Sequence, residues 1–152
     1  MTARVSPTDE IRAEIHGLFA AGDRPGQLDD TLEEVARIGA RLLLQTVLEA
    51  EIAEFLGRNR YERRASLREA RTGSRNGHAP FTVRTTAGAV TLKRQKLRGT
   101  SEAFSSRLLG AGVTRTNALE SLIIAGYVRG LSTRDIEATL SEALGAEATV
   151  SK

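Results

Sequence analysis

The side chains in this sequence with an evident capacity for chemistry are cations. From Arg58 to Arg98, forty-one residues hold twelve Arg or Lys against two Asp or Glu, a net +10. A charge density of this kind raises the local potential by several kT and collects polyanions, phosphodiester backbones above all. The candidates for backbone contact are Arg58, Arg60, Arg63, Arg64, Arg71, Arg75, Arg84, Lys93, Arg94, Lys96 and Arg98, and Asn76 is the candidate for reaching a base. Tyr61, Phe81, Val83 and Leu92 interleave with them, which favours a folded basic surface over a solvated linker. The flanks offset this charge. Met1 to Gly57 holds five basic residues against eleven acidic, and Gly99 to Lys152 five against six, so the whole chain reaches only +3.

Other chemistries lack residues at the required spacing. His16 and His78 belong to no nucleophile motif or metal-ligand pattern, and a packed or solvated imidazole is the default for each. Neither Gly-x-Gly-x-x-Gly nor Gly-x-x-x-x-Gly-Lys-Ser/Thr occurs. The absence of cysteine excludes disulfides, thiolate zinc sites and a cysteine nucleophile, and fits a reducing compartment. Glu49, Glu51 and Glu54 have no His beside them, and Glu51 with Glu54 forms the i, i+3 pair of a solvated helix face, so no metal site is expected. No apolar run approaches the roughly 20 residues needed to cross a bilayer, and Met1 to Asp9 lacks the layout of a signal peptide. The expectation is a cytoplasmic protein with no membrane partner.

The elements that position the cations follow from periodicity, and the expected class is mainly α with a small β-hairpin. Thr8 or Asp9 can cap a short helix, Glu10 to Ala20, with Ile11, Ile15, Leu18 and Phe19 on one face. The turn-forming Gly22 to Gly26 then sets residues 1–28 apart as a mobile appendage. Asp29 or Asp30 opens a long amphipathic helix, 29–57, ended by Gly57. Its Leu42-Leu43-Leu44 block with Val47 and Leu48 is apolar nearly all round and asks for burial on two sides, one of them against another subunit.

Residues 58–100 form a basic loop and hairpin. Asn76-Gly77 predicts a tight turn, and Phe81 to Thr86 with Ala89 to Arg94 predicts two strands around Ala87-Gly88. That register sets Val83 opposite Leu92 and Thr85 opposite Val90 on an apolar face, with Arg84 and Lys93 on the other. Lys93 to Arg98 adds four cations in six residues. In 101–152, after a connection with room for one short helix, Thr114 or Thr116 caps Asn117 to Val128, which Gly130 ends. Ser132 and Asp135 then form a capping box, Leu131 and Ile136 a staple, and Gly145 closes the last helix. Such a pair resembles an incomplete helix-turn-helix, because a DNA-reading version needs a further helix and only Ser151, a natural cap, stands where one would begin.

Leu48 to Gly57, Arg60-Tyr-Glu-Arg63, Arg71-Thr-Gly-Ser-Arg-Asn-Gly77, Thr85-Thr-Ala-Gly88 with Leu92, and Tyr127-Val-Arg-Gly-Leu-Ser-Thr-Arg-Asp-Ile136 form a series. Together these segments resemble the Mutator-type transposases of bacterial insertion sequences. Order and spacing agree from about Leu42 to Lys152; the Arg-x-Gly-x-Arg-Asn-Gly and Gly-Leu-Ser-Thr-Arg elements are the specific ones. Gln95 departs from the pattern, standing where many such proteins have proline.

The resemblance implies an N-terminal region that binds the element's terminal inverted repeats. It also implies a ribonuclease-H-like domain in which Asp, Asp and Glu hold two divalent metals, magnesium being the expected ion. Those acids come later in the family than Lys152, so no catalytic residue, metal ligand or cofactor is assigned here. The chain resembles an N-terminal portion, inactive by itself. Its expected partner is double-stranded DNA, bound weakly and with strong salt dependence. The rival expectation is a helical module that self-associates or joins full-length transposase to modulate it.

Overall fold

A computed structural model of the chain describes residues 5–20, 28–110 and 113–144. The order is α1 (Pro7–Ala20), α2 (Leu28–Leu56), a 3-10 turn (Arg64–Ser66), β1 (Ser74–Thr85), β2 (Gly88–Arg98), α3 (Asn117–Val128) and α4 (Thr133–Leu144). The mainly α class with one antiparallel hairpin is as expected. Among the described residues no helix is long and apolar enough to cross a membrane.

Helix α1 starts three residues before the expected point, because Ser6 rather than Thr8 or Asp9 is the cap. The Ser6 hydroxyl accepts from Asp9 N at 3.1 Å and donates to the Asp9 carboxylate at 2.7 Å, with Pro7 at the first helical position. The segment also differs from a detached appendage. Thr8 N donates to Glu49 at 3.2 Å and Arg41 pairs with Glu14 at 2.7 Å, so α1 runs antiparallel along α2 with Ile11 only 2% exposed. Burial of Ile11 drives this docking, whereas Phe19, on the same predicted stripe, stays exposed. The Gly22 to Gly26 turn and Met1 to Arg4 lie outside the described residues, as do the side chains of Asp29 and Asp30.

The hairpin is longer than its hydrophobic pattern and turns one residue earlier, which shifts the cross-strand pairing by two. Val83 faces Val90, Phe81 faces Leu92 and Thr85 faces Gly88, so the loop is Thr86-Ala87 rather than Ala87-Gly88. Gly88, at φ 106°, takes the left-handed position that Ala87 would have filled at a steric cost. The buried Thr85 hydroxyl locks the turn, donating to Gly88 O at 2.7 Å and accepting from Ala87 N at 3.1 Å. A shift of two residues leaves every side chain on its predicted face, so Arg84 and Lys93 still share one. Asn76-Gly77 makes no chain reversal. It sits inside β1, where the register slips between Arg75 and His78, and Gly77 at φ 72° supplies the left-handed residue of a bulge. Gln95 is an ordinary strand residue opposite His78.

Two small cores hold these parts. Leu48 of α2 packs with Val83, Val90, Leu92 and Leu109, while Leu119, Ile123, Ile136 and Leu140 close α3 on α4. Each outer edge of the two-stranded sheet is tied down at one residue near the core. Gln45 of α2 bonds the outward backbone of Lys93, and Arg84 bonds the 114–116 segment through Arg84 N to Thr114 O, 2.8 Å, and Thr116 N to Arg84 O, 2.9 Å. No helix forms between Gly99 and Thr114 among the described residues. Glu51 anchors that connection instead, accepting from the Ser106 hydroxyl and from the amides of Arg107 and Leu108.

Thr116 caps α3, accepting from Leu119 N, and Gly130 follows its end at φ 86°. Ser132 and Asp135 exchange the two capping bonds of α4, and the Ser132 hydroxyl, then the Ser132 amide, both donating to the carboxylate, hold the Asp135 carboxyl below the usual carboxylate range. Gly145, Ser151 and any further helix fall outside the described residues.

Candidate nucleic-acid interface

Beyond the core, the hairpin becomes a basic ribbon. Side chains alternate along a strand, so the face buried at Val90 and Leu92 continues as Arg94, Lys96 and Arg98, all three exposed. The rise per strand residue puts these charges about 6–7 Å apart. The bulge sets Asn76 and Gly77 together opposite Lys96, which brings exposed Asn76 beside the row. The Arg94 guanidinium lies 4.5 Å from the Phe81 ring centroid, which steadies it without neutralising it.

The remaining cations divide by occupation. Arg58 donates to Gly73 O, and half-buried Arg75 donates to Asn59 O at 3.2 Å and Arg58 O at 3.1 Å, so both fasten the loop to the hairpin. Burial, then the charges of Arg58 and Arg60, hold Arg75 below the ordinary arginine range. Three guanidinium groups crowded in this way form a local excess of positive charge. Lys93 pairs with Glu10, and Arg71 pairs with Glu102 at 3.0 Å and lies over Phe55 at 5.0 Å. Arg60 sits 5.5 Å from the Tyr61 ring centroid. Arg63 and Arg64 are exposed on the loop, and Arg84 is half-buried where the hairpin meets α3. The predicted set is therefore one basic segment but not one surface; Arg94, Lys96, Arg98 and Asn76 form its coherent part.

Sequence reading passed over three contributors. Arg68 is exposed in the same loop and carries the same signal as its neighbours. Gly77 matters as a bulge former, and Gln45, the lone amide in an apolar run, as the clamp on β2. The acids have structural partners: Glu49 accepts from Thr8 N, Glu51 from the 106–108 backbone and side chain, and Glu54 pairs with Arg107. Among the described residues no group of three or more His, Cys, Asp or Glu could hold a metal ion.

The described residues form a helical scaffold that displays a basic two-stranded ribbon. Residues 14–152 match the model of the transposase, Mutator family. The chain is 35% identical over 116 residues to the transposase for insertion sequence element ISRM5 of Rhizobium meliloti, an alignment covering 76% of this chain and 27% of that protein. It is 36% identical over 112 residues to the transposase for insertion sequence element IS406 of Burkholderia multivorans, covering 73% and 27%. The chain belongs to the Mutator family of transposases, and it spans about 27% of the length of these curated relatives.

Proposed function

We propose that this chain is the DNA-binding portion of a Mutator-type transposase, serving DNA transposition by gripping the terminal inverted repeats of its element. The observation that carries this reading is the exposed row Arg94, Lys96 and Arg98 with Asn76 at its centre. A two-stranded ribbon fits the major groove, where the cations take phosphates and an Asn amide pairs with adenine. Phosphate contacts position without specifying, so three cations and one amide give weak binding of blurred specificity. The strand-cutting acids and their divalent metal, magnesium, belong in this proposal to the remainder of a full-length transposase.

Filter binding to a duplex bearing the element's own inverted repeat, over a rising salt series, tests the proposal. The expected log–log slope is negative by about 0.9 for each engaged cation. A flat slope would remove phosphate contact from the account.

A second reading is favoured by the outer face of α2, where Leu43 is 70% exposed and Val47 is also exposed beside buried Leu48. That face would associate with a second copy of this chain, and sedimentation at increasing concentration checks it.

A further inference from the structure

The row on β2 leaves Tyr61 unexplained. It is 70% exposed, yet at φ 73° it is the one non-glycine residue among those described with a left-handed backbone. A bulky side chain in that region costs of order 1–3 kcal/mol, and such outliers cluster at ligand sites. Two adjoining cavities, of about 830 and 540 Å³, share the wall made by Arg60, Tyr61, Arg75, His78, Lys93 and Gln95. Four acids line them as well, Glu10 and Glu62 the smaller and Asp9 and Glu49 the larger, and each has a partner: Lys93 for Glu10, Asn59 N for Glu62, Arg12 for Asp9 and Thr8 N for Glu49. On the wall of the larger lies Thr8, 5% exposed, whose hydroxyl has no hydrogen-bond partner.

We infer that this pocket takes one unpaired nucleotide of the bound DNA, its base stacked on Tyr61 and its phosphate held by Arg60 and Arg75. This rests on the DNA-binding reading above and deepens it. Three guanidinium groups, Arg58, Arg60 and Arg75, against the two carboxylates of Glu49 and Glu62 leave a net positive charge for a phosphate, and the ring face of Tyr61 not covered by Arg60 supplies a flat apolar surface for a base. Inside a duplex both faces of a base are covered by its neighbours. A tyrosine ring can therefore stack only on an end, an overhang or a base that has left the helix. Gln95, whose amide donates to Gly77 O at 2.6 Å, and His78 add polar groups on the same wall.

The test compares three duplexes of one sequence, blunt, with a short 3′ overhang and with a short 5′ overhang, against the wild-type chain, Tyr61→Phe and Tyr61→Leu. Circular dichroism confirms that each variant folds. The expected result is that one overhang binds between about fivefold and a hundredfold more tightly than the blunt duplex, the range of a single base–aromatic stack. Tyr61→Phe keeps that ratio and Tyr61→Leu abolishes it. Equal binding of all three duplexes, or a preference that survives in Tyr61→Leu, overturns the pocket assignment while leaving duplex binding intact. Failure to bind any of them at low salt overturns the DNA-binding reading, and this inference falls with it.

Discussion

Gln45 and Lys93 are joined by two hydrogen bonds that make a helix side chain act as a third strand. The Gln45 carboxamide accepts from Lys93 N at 2.9 Å and donates to Lys93 O at 3.1 Å, and the residue is 1% exposed. This clamp fixes where α2 meets the hairpin and hence where the ribbon points. Gln45→Leu strands a backbone donor and an acceptor in a closed contact, each costing about 1–3 kcal/mol. Urea unfolding is expected to show a loss of roughly 2–6 kcal/mol, whereas Lys93→Ala, which keeps the backbone pair and loses only an exposed ion pair with Glu10, costs less than about 1 kcal/mol.

His78 gives a pH dependence of definite sign. Burial, then the Arg60 charge, hold its imidazole below the ordinary 6.5; Glu49 opposes this, Lys93 adds to it, and Glu10 opposes it. A base whose pKa falls on folding binds fewer protons in the native state. Its contribution to stability is complete above 6.5 and is lost as pH falls from there through the lowered folded value. Chemical denaturation between pH 7.5 and 5 should therefore show His78→Gln losing less stability than the wild type. A phosphate in the adjoining cavity raises the same pKa, so DNA binding takes up a proton, and His78 resonances followed by NMR will shift to higher pH on the complex.

The bulge makes its own prediction. A Cβ on Gly77 meets nothing within 4 Å, so Gly77→Ala carries only the left-handed backbone cost of about 1–2 kcal/mol. Gly73, at φ 122°, is different: a Cβ there comes within 2.6 Å of Thr100 Cγ2 and 3.2 Å of Arg98 O. Thermal unfolding should rank Gly73→Ala as the more damaging change.

For the outer face of α2, Leu43→Glu places a charge on an exposed apolar position without touching Leu48 or the core. Sedimentation velocity is expected to show the wild type associating as concentration rises and the variant remaining monomeric, with equal thermal stability at low concentration.

Local signals carried much of this fold. Thr116, and Ser132 with Asp135, mark helix starts because a cap is chemistry between neighbours, legible without any tertiary knowledge. The true cap of α1 was equally local, in Ser6-Pro7-Thr8-Asp9, but the apolar stripe beginning at Ile11 drew the boundary inward. The hairpin register slipped because Gly88 is equally plausible in a loop or just after one; the error of two residues preserved the faces and so the sorting of Arg84 from Val83. The basic segment was plain from charge alone. Which cations stay available was not, since Glu10 and Glu102, partners of Lys93 and Arg71, come from distant parts of the chain. Nor was the ribbon's length, because Asn76-Gly77 is common to a turn and a bulge.

The exposed row on β2 is the centre of the account, and the salt dependence of duplex binding measures it most directly. Arg94→Ala, Lys96→Ala and Arg98→Ala combined should weaken binding at low salt and make the log–log slope shallower by up to about 2.7, three cations at 0.9 each. Arg71→Ala, which removes a cation already paired with Glu102, should change the slope by less than about 0.9. A triple variant with the wild-type slope, or an Arg71→Ala slope that falls as far as the triple variant's, would contradict it.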